Sequence, residues 1–293
     1  TNGAIEVVEH LYLNGIAQAG GTWGATGSGC RYTNDNFFAG SGVLSNSWGT
    51  SLLSNVAEAN NYTLVYDLVI PVTGRWNTVP VPYAVDNSAN VLRGSFTRVA
   101  YYMELVSGGA TEWVYVSMGT FTDDAGRIGV PNVASGEFYN YANIGAMTNA
   151  TIQSNVGGIT TGTGINTVNL EFWPSNYGGA NDYGVPGANA GTFDFGDGGA
   201  SSGAGYGSMQ IHNYGAGQTL FAYCDWNDSS DDDLGIGNRG SGDPDWTFAG
   251  NSDTYSFRRL QILVLPAPTF SYWIADANGN WSTAANWTNS IAS

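Results

Sequence analysis

The acidic run from Asp225 to Asp233 holds the densest set of possible metal ligands in the chain. Its carboxylates are Asp225, Asp228, Asp231, Asp232 and Asp233. Calcium accepts about six to eight oxygen ligands in a flexible geometry, so this density of carboxylates suits Ca²⁺. The spacing lacks the alternate acidic positions, the central Gly and the final Glu of an EF-hand loop. Two interpretations stay open: a calcium site, or a solvated acidic loop.

Five aromatic residues lie in or beside loops rich in Asn, Asp and Gly: Trp173, Tyr177, Tyr183, Trp226 and Trp246. Aromatic rings stack on the apolar side of a pyranose, while amides and carboxylates bond its hydroxyls. The same rings could instead anchor long loops onto the core. The stretch 169–227 is therefore the first place to look for a ligand, and carbohydrate is the ligand class it favours.

Two short motifs resemble catalytic signatures without their structural context. Residues 199–203 fit G-x-S-x-G, but Ser201 lies in a Gly/Ala/Ser loop with no strand-to-helix elbow to expose a nucleophile. Residues 235–240 fit G-x-G-x-x-G, but they follow an acidic run rather than a strand. We therefore predict that both are turns.

Histidines and glutamates give no catalytic pairing either. The chain has 2 His, so a multi-histidine zinc site cannot be built. Ser208 and His212 are four apart on a predicted strand, roughly 13 Å along it, so they cannot bond directly. We expect His212 to be a hydrogen-bonded residue at a strand end. Nothing in the spacing pairs Glu104, Glu112 and Glu171 as the two acids of a glycosidase. The sequence predicts no catalytic residue.

Two cysteines, Cys30 and Cys224, stand far apart in the chain. In an extracellular protein they could form one disulfide; otherwise they are two free buried thiols. Sequence alone leaves both alternatives open.

Composition indicates an exported protein built from short strands. The 293 residues include 42 Gly, and 11% are charged, against about 25% in an average soluble domain. All 8 basic residues are Arg and the formal net charge is -16. Nucleic acid and anionic membranes would be repelled, so both are poor partners. No apolar run reaches the roughly 18 residues of a membrane span, so we expect no membrane insertion.

The strand pattern predicts an all-β, antiparallel β-sandwich with jelly-roll character. Residues 62–71 are rich in β-branched and aromatic residues, and 95–107 with 111–121 suggest a hairpin about Gly108-Gly109. Within the first hairpin strand, the better core face is Thr97, Val99, Tyr101, Met103 and Leu105. Further strands are expected at 167–173, 208–213, 219–225 and 256–265, with a short helix over 50–59.

The C-terminal segment resembles a known repeat. Trp273, Gly279-Asn280-Trp281-Ser282 and Asn286-Trp287 are similar to the opening of the autotransporter-associated β-strand repeat of large bacterial surface and exported proteins. Residues 13–29 and 36–44 resemble the closing portion of the same repeat. The resemblance implies short β-repeat extensions at both ends of the sandwich.

The central residues, 61–265, resemble a poorly characterised module of planctomycete and verrucomicrobial exported proteins, some labelled sialate O-acetylesterases. The matching stretches are 170–177, 206–213, 218–221, 234–238 and 245–251. Because that label belongs to whole multidomain chains, it implies a glycan context by analogy only.

Together these resemblances divide the chain into residues 1–50, the end of a repeat; 51–266, the sandwich; and 267–293, the Trp-rich start of a further repeat. Either the chain is cut from a longer tandem protein, or the tail of one copy completes the N-terminal strands of the next. Tyr272, Trp273, Trp281 and Trp287 would serve that assembly.

We therefore expect a non-catalytic structural or adhesive module, extracellular or on the bacterial cell surface, whose partners are copies of itself. The alternative is a carbohydrate-binding module that takes polysaccharide, and the third hypothesis is a glycan-active hydrolase or lyase. Apart from Ca²⁺, no cofactor is expected.

Overall fold

The structure is a computed structural model that describes residues 5–8, 11–13, 16–18, 21–46, 50–70, 81, 83–130, 142–173, 208–224, 233–238, 254–273 and 287–291. These residues form an all-β protein whose two large sheets are antiparallel, as the sequence predicts. Helical structure in this part of the chain is limited to the helix α1 (Thr50–Asn55) and 3-10 turns at Ala57–Asn61, Ser88–Asn90, Ala125–Arg127 and Tyr214–Ala216. No helix among the described residues has the length and apolar character to cross a membrane.

The strands, in chain order, are β1 (Ile5–Val8), β2 (Tyr12–Leu13), β3 (Ile16–Ala17), β4 (Gly21–Gly24), β5 (Tyr32–Thr33), β6 (Val43–Asn46), β7 (Thr63–Val69), β8 (Val85–Asp86), β9 (Phe96–Ser107), β10 (Ala110–Gly119), β11 (Ala142–Met147), β12 (Ala150–Ser154), β13 (Gly162–Ile165), β14 (Val168–Trp173), β15 (Ser208–Asn213), β16 (Gln218–Cys224), β17 (Asp233–Ile236), β18 (Phe257–Pro266), β19 (Thr269–Trp273) and β20 (Trp287–Ile291).

The larger sheet has seven strands in the order β13-β12-β10-β9-β18-β7-β8. Its longest hairpin, β9–β10, turns at Gly108 and Gly109, whose φ values are 58° and 81°. Positive φ at both central positions is what a two-residue hairpin of this hand requires, and glycine adopts it without a Cβ penalty. The predicted hairpin and the predicted strand over 62–71 are both confirmed.

The smaller sheet has five strands in the order β11-β14-β15-β16-β17. Each strand pairs antiparallel with its neighbour, and β15–β16 carries a register shift between Ile211 and His212. The expected strands at 167–173, 208–213, 219–225 and 256–265 correspond to β14, β15, β16 and β18.

The two sheets pack face to face on one hydrophobic core, which makes the fold a β-sandwich. Tyr101 on β9 meets Phe221 on β16 across the core, with ring centroids 6.4 Å apart. Of the five predicted core-face residues of β9, Val99, Tyr101, Met103 and Leu105 lie in this core, whereas the prediction is wrong for Thr97, which is exposed. The alternation breaks at this end of β9, where the pairing with β18 shifts register between Leu265 and Pro266, and Phe96 is buried in the core instead.

A second, smaller core covers the outer face of the seven-stranded sheet. Leu52 of α1, with Val56 and Ala59 just after it, packs against Tyr102 and Leu263. Ala100, Tyr102 and Glu104 on the outer face of β9 are therefore buried too, and the strand is covered on both faces. The sequence predicts a short helix over 50–59, and the structure confirms it as α1 followed by a 3-10 turn.

The N-terminal segment forms its own four-stranded sheet in the order β1-β6-β4-β5. This sheet is mixed: β1 pairs parallel with β6, β4 pairs parallel with β5, and β4 pairs antiparallel with β6. The short strands β2 and β3 pair antiparallel with each other.

The C-terminal strands β19 and β20 form a separate two-stranded antiparallel sheet. Among the described strands, no sheet crosses residue 50 or residue 266. The interpretation of the three parts as separate domains, two of them repeat pieces, stays a prediction.

Candidate functional site

A cleft of about 450 Å³ opens where the N-terminal sheet meets the sandwich. It is lined by residues from three segments distant in sequence: the N-terminal segment, the start of β7 with the residues before it, and the 3-10 turn after β8. Its volume lies within the range of roughly 300–1,000 Å³ typical of small-molecule sites. We call it the amide cleft, because five of its eleven lining residues are amides: Gln18, Asn60, Asn61, Asn87 and Asn90.

Three aromatic rings form the second part of the wall. Trp23 and Tyr32 are directly opposite each other on the parallel pair β4–β5, and their rings stack with centroids 4.6 Å apart and planes at 23°. Tyr62 donates its hydroxyl hydrogen to Glu58 at 2.8 Å and accepts from Arg98 Nε at 3.2 Å. The pKa of Tyr62 is raised, mainly because its hydroxyl is desolvated by burial, so the hydroxyl stays protonated. These contacts fix the rings in place.

Two of the amides are held by the protein and two are not. Asn60 donates to the carbonyl of Ala57 at 3.0 Å and accepts from the guanidinium of Arg31. Asn87 donates to the carbonyl of Leu64 at 3.2 Å. In contrast, Asn61 and Asn90 are exposed, and their side chains bond to none of the described residues.

No lining residue of the amide cleft carries a charge. The three lining residues that are neither amides nor aromatics are Thr63, Leu64 and Val91. This composition differs sharply from that of the whole chain, whose net charge is -16. A wall of amides and rings without ionised groups offers hydrogen bonds and stacking, but neither proton transfer nor attraction for an ion.

A second cleft, of about 380 Å³, lies at the end of the sandwich where the 155–159 loop meets β16 and β17. Its amides serve the loops themselves: Gln218 accepts from the Thr160 amide at 2.9 Å, and Asn238 accepts from the Thr219 amide at 2.8 Å. Asn155 likewise accepts from the backbone of Trp113 at 2.7 Å. With its amides consumed in this way, this cleft is the weaker candidate.

The outer face of the five-stranded sheet is polar yet buried. His212 lies in register with Asn169 on β14 and Thr219 on β16, and all three are fully buried. His212 Nε2 is 2.9 Å from Oε1 of Gln210; since an amide oxygen only accepts, Nε2 carries the proton. Desolvation by burial lowers the pKa of His212 to about 3. The predicted role of a hydrogen-bonded residue is confirmed, and so low a pKa makes this imidazole a poor general base.

A buried ion pair crosses the outer face of the seven-stranded sheet. Arg259 Nε donates to both carboxylate oxygens of Asp67 at 3.0 Å, and Gln261 donates to the same carboxylate at 3.0 Å. Beside it, the Tyr102 hydroxyl donates to Glu104 at 2.7 Å and accepts from Asn55 at 3.0 Å. The first group of bonds joins β7 to β18, and the second joins β9 to α1, which ties the helix of the outer core to the sheet.

The three candidate glutamates are not brought together. Glu104 lies in register with Trp113, whereas Glu112 is opposite Leu105, whose side chain is in the sandwich core. Because adjacent residues alternate in direction, Glu104 and Glu112 lie on opposite faces of the sheet. Glu171 belongs to β14 in the other sheet. The three glutamates therefore provide no pair of carboxyl groups that could face one glycosidic bond.

The chain was compared with protein-family models, curated proteins and solved structures. None of them matches it. The resemblances drawn from its motifs therefore remain proposals.

Most of the site residues predicted from sequence lie outside the described residues. These are Tyr177, Tyr183, Trp226 and Trp246 for carbohydrate, Asp225, Asp228, Asp231 and Asp232 for calcium, and Trp281 for assembly. Trp173 is the last residue of β14, and Asp233 is the first residue of β17, opposite Cys224 of β16. Calcium binding and sugar binding at these residues stay predictions.

Cys30 is half-buried and its thiol is free in the structure. The bridge to Cys224 is thus not formed here, and whether the two pair on oxidation stays a prediction. Of the assembly residues, Tyr272 and Trp273 lie on β19, in register with Thr288 and Trp287 on β20.

Sequence reasoning missed the amide cleft. Its residues come from three segments, and none of these contains a recognised binding or catalytic motif on its own. The spacing of Trp23 and Tyr32 was an available signal, since both stand in short strand-like pieces of the Gly-rich N-terminal segment. Only their parallel register reveals that the rings meet.

Proposed function

We propose that this chain is a non-catalytic structural module of an extracellular or cell-surface assembly, and that copies of it join head-to-tail by strand addition. The observation that carries the proposal is the β19–β20 sheet, whose two strands pair with each other and with no third strand among the described residues. An isolated two-stranded sheet is at best marginally stable in water, and a third strand is the usual remedy.

The N-terminal sheet offers a matching acceptor. β1 is an edge strand of that sheet, with β6 on one side only. Its 4 residues and the 5 residues of β19 and of β20 span about 13 and 17 Å at roughly 3.3 Å per residue, so their lengths are compatible. An exposed edge presents unpaired N–H and C=O groups, which is the template that strand addition uses.

Because donor and acceptor differ, the contact is heterologous, and repeated contacts of this kind build a ring or a filament. The resemblance of both chain ends to parts of one bacterial surface repeat supports the same assembly. The copies can stand on one tandem chain or on separate chains. The charge of -16 on each copy opposes association, so assembly should strengthen with added salt.

Sedimentation velocity on the chain as given tests the proposal. We expect species larger than a monomer whose share grows with protein concentration and with salt. Deletion of residues 269–293 removes β19 and β20 while keeping every strand of the two large sheets, and it should leave a monomer with an unchanged circular dichroism melt. Identical sedimentation profiles for the two chains would refute strand addition by this hairpin.

Proline variants test the acceptor edge. Successive N–H groups of a strand point to opposite sides, so one of Glu6→Pro and Val7→Pro removes an N–H from the open edge and the other removes one from the β1–β6 ladder. We expect the open-edge variant to lose assembly while keeping the stability of the monomer. If both variants assemble like the parent chain, β1 is not the acceptor.

A further inference from the structure

We propose that the amide cleft is a binding site for a neutral carbohydrate. This activity goes beyond assembly and uses residues other than the loop aromatics at 173–246.

The wall lacks charge. Arg31 is not a lining residue, but it donates to Asn60 and its guanidinium lies 5.2 Å from the centroid of the Tyr32 ring. Glu58 and Arg98, also outside the lining, bond the hydroxyl of Tyr62. A phosphate, a uronic acid or a metal ion would find no counter-charge on the lining itself. A ligand rich in hydroxyls and without charge fits this wall best.

The wall offers matched hydrogen-bonding groups. Each amide has a carbonyl that accepts and an NH₂ that donates, and adjacent hydroxyls of a sugar need both. Asn61 and Asn90 are exposed and bond to no described residue, so they can serve a ligand at no cost to the fold. The half-buried rings of Tyr32 and Tyr62 supply most of the apolar surface against which the C–H face of a pyranose can pack, since Trp23 is only 8% exposed and lies stacked on Tyr32.

The wall is also preorganised. Stacking fixes Trp23 and Tyr32 against each other, and hydrogen bonds fix Tyr62, Asn60 and Asn87. Groups that are already ordered lose little conformational entropy on binding, so the interactions with the ligand are retained as affinity.

Isothermal titration calorimetry of the full chain tests the site, with neutral oligosaccharides of glucose, xylose, mannose and galactose as probes and oligogalacturonate as the anionic comparator. We expect at least one neutral probe to bind with a Kd below the millimolar range, more tightly than oligogalacturonate. The Asn61→Ala/Asn90→Ala double variant should bind that probe about tenfold more weakly or worse.

Two further variants keep the test decisive. Asn36→Ala removes an exposed amide of the same N-terminal segment outside the cleft and should bind like the parent chain. Trp246→Ala, in the loop region first suspected, should also leave binding unchanged. The proposal is overturned if no neutral probe binds at millimolar concentration, if oligogalacturonate binds more tightly, or if the double variant retains full affinity. Loss of binding in Trp246→Ala with full binding in the double variant would transfer the site to the loops.

Discussion

The buried histidine makes the stability of this protein sensitive to mildly acidic pH. His212 is fully buried, its strand neighbours Asn169 and Thr219 carry no charge, and its pKa is lowered from 6.5 to about 3 by desolvation. The unfolded chain therefore binds a proton at this residue below about pH 6.5, whereas the folded chain does not bind it until about pH 3. Stability from this residue is fully present above the unfolded pKa and falls as pH decreases from there.

The size of the effect follows from linkage. At pH 5 the unfolded His212 is almost wholly protonated while the folded one is neutral, which costs about 2 kcal/mol relative to pH 7. The effect would grow to about 4 kcal/mol at pH 3. Urea unfolding at pH 7 and pH 5 measures it, because few ordinary carboxylates titrate in that interval.

The variant His212→Gln isolates this residue, since glutamine can still donate to Gln210 but does not titrate. We expect the loss of stability between pH 7 and pH 5 to be about 2 kcal/mol smaller in His212→Gln than in the parent chain. His10→Gln, which changes the other histidine, is the matched control. An NMR titration in which the His212 ring shifts with a midpoint near 6.5 would contradict this reasoning, and so would equal pH dependence in parent and variant.

Three further substitutions test the packing. Arg259→Met leaves Asp67 buried and without its cation, and should lower the free energy of unfolding by about 3–5 kcal/mol in chemical denaturation. The double variant Asp67→Leu/Arg259→Met should recover much of this loss, and a double variant no more stable than Arg259→Met would contradict the reasoning. Gly215→Ala places a Cβ 2.6–2.8 Å from the Thr167 side chain, which its bond to Asn213 holds, and should cost about 1–3 kcal/mol, while Gly157→Ala meets open space and serves as control. Leu52→Ala removes packing from the outer core and should lower the free energy of unfolding by about 2–4 kcal/mol. Leu92→Ala, at an exposed position, should change it hardly at all. Equal melting temperatures within either matched pair would refute the corresponding contact.

The elements predicted correctly from sequence are those determined by residues close to each other in the chain. The β9–β10 hairpin follows from two adjacent glycines that permit positive φ, and the core face of β9 from Val99 to Leu105 follows from alternation of buried side chains along the strand. These signals lie within about twenty residues of each other, so they do not depend on the rest of the fold.

Features that depend on distant partners escaped prediction. Alternation gives β9 one apolar face, yet Tyr102 and Glu104 on the other face are buried, because α1 and neighbouring chain cover them. Asp67 and Arg259 are 192 residues apart, and no pattern in the sequence announces that they pair. The amide cleft combines three segments in the same way. The predicted loop sites were chosen for local density of aromatics and acids, which identifies candidates but not the contacts between segments.

The position of β18 in the seven-stranded sheet determines when this protein can finish folding. β18 lies between β9 and β7, so the β7–β8 pair cannot join the rest of the sheet until residues 257–266 have been made. Such long-range pairing slows folding, because the chain between the strands loses entropy before the contacts form. During synthesis or export, the backbone N–H and C=O groups on one edge of β7 therefore lack their partner strand until nearly two hundred further residues have been made. β18 is the last strand of the sandwich to be synthesised, and it is also the strand that joins β7 to β9. We therefore expect the growing chain to be most prone to aggregation just before β18 is complete.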